Sequence, residues 1–362
     1  MNSVWLILMK VFVAIFVILL FCKIRPWWKK MACLLVSLAF ILLAGFHYMF
    51  PDYPSIETTG KQKVMTETVY FSHETEFPDL ATEGKKREIP VKVWLPEGKD
   101  DEKLPLIIYS HGSFGIPEAN ESLFNELASH GYAVMSLAHP HHSFSTQLSN
   151  GESVTVDWNF LQEVMASQGS EDLPKVLNNL RKWVAIRVED LNFIVDCLQD
   201  ESQNNEMSQF FDQEAILLAG HSLGGSAALQ VGRERSKDFK AVISLEAPFI
   251  GDIMDVEGDH YTFIAEEYPL PILHFYSDAI WDKIEDTTTY TANANLLEKD
   301  SNKFVNVYLP GSGHLGLTDL RLFSPLLTNL MDGRLNTKPT EDNLKRINEE
   351  TLRFLDQLAL ND

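Results

Sequence analysis

Cysteine is nearly absent: the 362 residues hold 3, Cys22, Cys33 and Cys197. Two lie in long apolar runs and the third in a stretch with helical periodicity. Neither a disulfide framework nor zinc-ligand spacing can be built from them. Basic residues are also scarce, 30 Lys and Arg against 51 Asp and Glu, for a net charge of −21. The first 54 positions hold five of the basic residues and only one acid, Asp52, which leaves −25 on the remainder. So acidic a unit repels nucleic acid and anionic headgroups, and neither is expected as a partner held by charge. Internal repeats and low-complexity tracts are missing, and the length allows one large α/β domain plus an addition.

That addition is N-terminal. Val4 to Cys22 is apolar except for Lys10, and Met31 to Phe50 except for Ser37 and His47. Each run of about 20 residues can cross roughly 30 Å of hydrocarbon as a helix. The loop between them carries Lys23, Arg25, Lys29 and Lys30 and no acid, with Trp27 and Trp28 suited to the headgroup level. Residues 1–50 are therefore expected to form a transmembrane hairpin, with spans at about 4–22 and 31–50. Its loop is expected to be cytoplasmic and the acidic domain extracytoplasmic, at the cell membrane. Lys10 is near enough to the outer end to snorkel. The competing reading, a cleaved signal peptide, lacks a basic leading region and an A-x-A site.

Residues 51–62 read as a linker and 63–362 as the domain. Val64–Ser72 and Val91–Leu95 alternate or are β-branched and are expected to pair antiparallel. Apolar strand-like runs at Leu104–Tyr109, Tyr132–Ala138, Ile216–Gly220 (strand and elbow together at 214–224), Phe239–Leu245, Leu270–Tyr276 and Phe304–Leu309 alternate with helical patterns. The helical patterns cover Pro117–His130, Asp172–Leu198 (expected as two helices) and Thr340–Leu360. Such alternation argues for a mainly parallel sheet with helices on both faces. Residues 144–186 begin irregularly and carry Trp158, Phe160, Leu161, Val164 and Met165, which suits a cap over an apolar chain.

The run Ile216-Leu217-Leu218-Ala219-Gly220-His221-Ser222-Leu223-Gly224-Gly225 places a G-x-S-x-G turn between an apolar strand and an Ala-rich helix start. This is the nucleophile elbow of α/β-hydrolase folds. A serine hydroxyl needs a base, an acid to orient the base, and donors for the oxyanion. In that fold the chain order is Ser, acid, His. His314, in the glycine-rich loop after the last strand, is the candidate base. His221 lies inside the elbow and is expected to point away from Oγ. Two carboxylates end neighbouring strands, Glu246 and Asp278, and either edge can present one to His314. The N–H groups of Ser113 and Leu223 are the candidate oxyanion donors. His111 is more often a brace for its loop in such a position than a second base. His139, His141 and His142 lack paired carboxylates at ligand spacing, so no metal is expected, and the chemistry calls for no cofactor.

Tyr109-Ser110-His111-Gly112, Leu127-Ala128-Ser129-His130-Gly131-Tyr132 and Gly220-His221-Ser222-Leu223-Gly224-Gly225 resemble α/β-hydrolases related to platelet-activating-factor acetylhydrolase. Arg187-Val188-Glu189-Asp190 in the preceding helix fits the same resemblance, which covers about Ile107 to Leu317. It implies a lipase-like serine esterase acting on short-chain or phospholipid-type acyl esters without calcium. It also favours Glu246 over Asp278 as the acid, at a position where the family carries Asp. The expectation is thus a membrane-anchored serine ester hydrolase. A polyester or peptide hydrolase on the same fold, or an inactive membrane-anchored binding protein, are the alternatives.

Overall fold

The computed structural model describes residues 2–53, 55–98, 103–199, 207–299, 301–333, 335–337 and 339–358. Two apolar helices come first, α1 (Asn2–Phe21) and α2 (Trp27–Met49). Both are long and apolar enough to cross a membrane, with mean hydropathies of 2.9 and 2.1. They pack as a hairpin through the stacked rings of Phe12 and Phe40, 4.6 Å apart, and a hydrogen bond from Ser37 Oγ to Phe12 O. Trp27 and Trp28 belong to the first turn of α2 rather than to the connecting loop.

The domain opens with β1 (Val64–Glu74) and β2 (Lys86–Pro96), followed by β3 (Leu104–Ser110), α3 (Glu121–Ser129) and β4 (Ala133–Leu137). An excursion then carries a small hairpin, β5 (Ser145–Gln147) and β6 (Ser153–Thr155), and helix α4 (Trp158–Ser167). The long helix α5 (Leu173–Gln199) leads back to β7 (Phe211–His221), α6 (Ser222–Glu234) and β8 (Val242–Leu245). A second hairpin, β9 (Ile253–Glu257) and β10 (His260–Phe263), precedes β11 (Ile272–Ser277), α7 (Thr291–Leu297) and β12 (Phe304–Leu309). The described chain closes with α8 (Leu320–Phe323), α9 (Pro325–Met331) and α10 (Thr340–Gln357).

Eight strands form the main sheet in the order β1-β2-β4-β3-β7-β8-β11-β12. β1 with β2, and β2 with β4, are antiparallel; every pair from β4 to β12 is parallel. The alternation of side chains divides the core between the two faces. Leu106, Ile108, Ile216 and Leu218 pack with buried residues of α5 and α6. Ile107, Tyr109, Leu217 and Ala219 pack with α3 and α10 through Phe124, Leu344, Ile347 and Phe354.

Three further expectations change. The helix expected from Pro117 starts at Glu121, because residues 116–121 make tight turns, with Ala119 N–H bonded to Ile116 O and Glu121 N–H to Glu118 O. The two helices expected over Asp172–Leu198 are one. Asn178 and Asn179 weaken its middle locally, but Leu177, Trp183, Val184, Ile186 and Arg187 are buried on either side and keep it continuous. The stretch from Ser143 is more regular than its sequence pattern suggests. Asp157 caps α4 by accepting from Phe160 N–H at 2.9 Å.

Register aligns the C-terminal ends of the central strands. Ser110 sits opposite Gly220, His221 opposite Leu245, Leu245 opposite Phe275, and Ser277 opposite Leu309. Every loop leaving this edge therefore begins at one level. Four of them carry Ser113, Glu246, Asp278 and His314, and β7 runs straight into Ser222.

Candidate active site

At the end of β7 the backbone turns into α6 within one residue, and Ser222 takes a φ of 52°. This left-handed conformation strains a residue with a Cβ, at a cost of about 1–3 kcal/mol. The turn leaves no room beside it. A Cβ on Gly224 would stand 2.1 Å from Ser110 O, and one on Gly220 would stand 2.6 Å from Gly225 N. The two glycines thus let β7, β3 and the start of α6 approach to backbone contact. Leu223 lies in the first turn of α6, where N–H groups have no partner from a preceding turn.

Glu246 follows β8, also with positive φ, 49°, and is buried. Its Oε1 lies 2.7 Å from His314 Nδ1, and its Oε2 accepts from Ser277 N–H. With Nδ1–H given to the carboxylate, Nε2 of the neutral ring is the nitrogen that keeps a lone pair. Burial disfavours the imidazolium, but the hydrogen bond and charge of Glu246, with a smaller part from Asp332, outweigh it and raise the pKa of His314. Asp278 is placed differently. It accepts from Tyr308 Oη at 2.6 Å and from Gly311 N–H at 3.1 Å, at the root of the loop that carries His314. The structure therefore brings Glu246, and not Asp278, onto the imidazole.

His221 is buried and braces the same loop. Its Nε2 lies 3.2 Å from His314 O, which can only accept, and its ring lies 4.5 Å from that of His314. Burial, then the neighbouring His314, hold its pKa well below the ordinary value. Asp332 and Asn336, unnoticed in the sequence, clamp the loop from the far side through Leu315 N–H and Gly313 N–H. They follow His314 at no spacing a local motif would mark. Among the described residues Ser222 Oγ makes no hydrogen bond.

The loop after β3 presses on the elbow: a Cβ on Gly112 would stand 3.3 Å from Ser222 Cβ. Ser113 follows, half-buried, and Phe114 has a φ of 61°. Behind this loop lies a buried polar cluster. Arg87 of β2 grips Asp190 of α5 through Nε and Nη2, at 2.7 and 2.9 Å. Asp190 also receives His139 Nδ1–H at 2.7 Å, and His139 Nε2 meets Ser110 Oγ at 2.9 Å. Burial pushes the Asp190 carboxyl up, but Arg87, His139 and His73 overcome this and hold it well below the usual range. Burial and then Arg187 lower His139 to about 3, so it stays neutral. His73, Glu189 and Asp190 are close enough together to suggest a cation site. Their oxygens are taken, however: Arg87 and His139 hold Asp190, and Thr75 and Glu76 N–H hold Glu189.

The family described as platelet-activating factor acetylhydrolase, isoform II, matches residues 86–361. The platelet-activating factor acetylhydrolase of Canis lupus familiaris is 28% identical over 168 residues, 42% of this chain and 37% of that protein. The Bos taurus enzyme of the same name is 27% identical over 168 residues, with the same coverage. The aligned part thus spans well under half the length of these relatives. Among solved structures, a ferulic acid esterase from Streptomyces cinnamoneus superposes with a TM-score of 0.60 at 18% identity, covering 84% of this chain and 92% of that one. A dienelactone hydrolase-like promiscuous phosphotriesterase from metagenomic libraries gives a TM-score of 0.51 at 15% identity, covering 82% and 99%. At these identities the likeness establishes the α/β-hydrolase fold.

Proposed function

The chain belongs to the platelet-activating factor acetylhydrolase isoform II family, and from that premise we propose that it is a membrane-anchored serine ester hydrolase. Its substrates are short-chain or phospholipid-type acyl esters. The observation that carries the reading is the 2.7 Å contact of His314 with Glu246, at the strand edge where the elbow presents Ser222.

Ser222 Oγ attacks the acyl carbonyl while His314 Nε2 takes its proton. Glu246 holds the ring and favours the imidazolium that forms. The N–H groups of Ser113 and Leu223 receive the oxyanion, each donor being worth about 3 kcal/mol of barrier. The intermediate collapses, the alcohol leaves with the proton from His314, and water releases the acyl group by the same steps. Phe144, Trp158 and Met165 in the excursion between β4 and α5 expose 67, 65 and 63% of their surfaces, a rim suited to an apolar acyl or alkyl chain.

The neutral form of His314 is the base, so protonation stops the reaction. Because its pKa is raised, the acid limb of kcat/KM has its midpoint above the 6.5 of an ordinary imidazole. A pH–rate profile on p-nitrophenyl acetate and butyrate, with a phospholipid ester alongside, tests the reading. No ester hydrolysis, or a limb below that value, would count against it.

For the anchor, the basic loop between α1 and α2 stays in the cytoplasm and the domain lies outside. Ser324 Oγ donates to Met49 O at 2.7 Å, and Tyr53 packs on Phe323, so the end of α2 meets the domain beside α8 and α9. Alkaline phosphatase fused after Asp362 folds only where its disulfides form. It is expected to be active in intact cells. An inactive phosphatase fusion, with a reporter that works only inside the cell active at the same position, would reverse the orientation.

A further inference from the structure

We infer that Arg187 is a positioning residue for the oxyanion site: from α5 its guanidinium fixes two successive carbonyls of the loop after β3, and so aims Ser113 N–H at Ser222. The inference rests on the serine-hydrolase reading above. Arg187 is fully buried and lies 76 positions from the loop it holds. Its Nη1 donates to His111 O at 2.9 Å, its Nη2 to Gly112 O at 3.4 Å, and its Nε to His142 Nδ1 at 3.3 Å.

The geometry of one peptide does the aiming. In a trans peptide the C=O and the following N–H point in opposite directions. Gly112 O and Ser113 N–H share such a plane. Three donors hold Gly112 O: His111 Nδ1 at 2.7 Å, Gly115 N–H at 3.1 Å and Arg187 Nη2 at 3.4 Å. With the carbonyl so held, the Ser113 N–H must point the opposite way, and Gly112 itself abuts the elbow, where a Cβ would stand 3.3 Å from Ser222 Cβ. A cationic donor on the carbonyl also polarises the peptide and makes its N–H a stronger donor.

Further bonds keep Arg187 and His111 in place. A carbonyl oxygen cannot donate, so His111 Nδ1 carries the proton, and Nε2 accepts from Ser143 Oγ at 2.9 Å. His142, which receives Arg187 Nε, stacks on Phe160 at 3.9 Å. Asp190, one turn along α5, is tied to Arg87 of β2 and to His139 after β4, which fixes the helix to the sheet on the β4 side of the loop. The loop's preorganisation is therefore shared: its own His111 and Gly115 close the turn, and Arg187 of α5 ties that turn to the helix.

Arg187→Lys keeps the charge but replaces a planar fork with a single ammonium that cannot serve both carbonyls in the same geometry. In the full chain in detergent, with p-nitrophenyl acetate, kcat is expected to fall about 100-fold while KM stays within about threefold. Affinity for an alkyl trifluoromethyl ketone, whose hemiketal oxygen occupies the oxyanion site, should fall by about the same factor as kcat/KM. Added methylguanidinium should restore about tenfold of the rate lost in Arg187→Ala. A kcat within about threefold of the unsubstituted chain, or undiminished ketone affinity, would overturn the inference. So would failure of both variants to melt cooperatively, since Arg187 would then be needed for folding alone. If the unsubstituted chain does not hydrolyse the ester, or Ser222→Ala still does, the hydrolase reading falls and takes this one with it. If those controls behave and Arg187→Lys is fully active, the assignment to Arg187 alone is wrong.

Discussion

Replacing Ser222 by alanine is expected to lower kcat on p-nitrophenyl esters by about 10⁶-fold, leaving only the slow turnover that the oxyanion donors and binding support without a nucleophile. Backbone geometry makes the same residue a stability probe. Ser222 holds a φ of 52°, with Gly224 unable to move away from Ser110 O, so the turn cannot relax around a side chain. Ser222→Ala keeps a Cβ in the left-handed region and should melt within a degree or two of the parent. Ser222→Gly should be equally inactive yet more stable by about 1 kcal/mol, because glycine occupies that region without strain. Kinetics and thermal melts on the three proteins measure both effects. Ester hydrolysis by Ser222→Ala within tenfold of the parent would remove Ser222 from the mechanism. Equal stability of all three would mean the turn carries no strain.

How far the sequence disclosed this arrangement depends on how local each signal is. The parallel sheet was legible because its strands are short apolar runs separated by helical patterns, as in Leu104–Ser110 and Ile272–Ser277. The elbow was legible because its demand for small residues falls on adjacent positions. Helix α4 was not: its polar and apolar residues mix, and the one available cue, Asp157 three positions before Phe160, is short. Nor was the cluster behind the loop after β3. Arg87 and Asp190 stand 103 positions apart, and Arg187 reaches His111 across 76, so no pattern within a window could pair them. The motif Arg187-Val188-Glu189-Asp190 entered only through a family resemblance, and its physical sense, one turn of α5 serving two strands, needs the fold. The clamps on the His314 loop, Asp332 and Asn336, were invisible for the same reason.

The acid lies between these extremes. Chain order places Glu246 and Asp278 at adjacent strand ends, but which one meets the imidazole depends on the direction the backbone takes after the strand. Glu246 turns through a positive φ immediately after β8, which carries its longer side chain to Nδ1 of His314, whereas Asp278 ends on Tyr308 and Gly311. Glu246→Gln is therefore expected to reduce kcat by about 10⁴-fold, since an amide offers the ring no charge and can impose the wrong tautomer. It carries a second signature. Glu246 supplies most of what raises the pKa of His314, so the acid limb of the residual activity should move to lower pH. Asp278→Asn keeps an oxygen for Tyr308 and Gly311 and should cost less than about tenfold in kcat, with the limb unmoved. Pairwise comparison of the two pH–rate profiles separates the roles. A larger loss for Asp278→Asn, or a limb that shifts in that variant and not in Glu246→Gln, would transfer the orienting role to Asp278. It would then require the His314 loop to swing away from the Glu246 carboxylate when substrate binds.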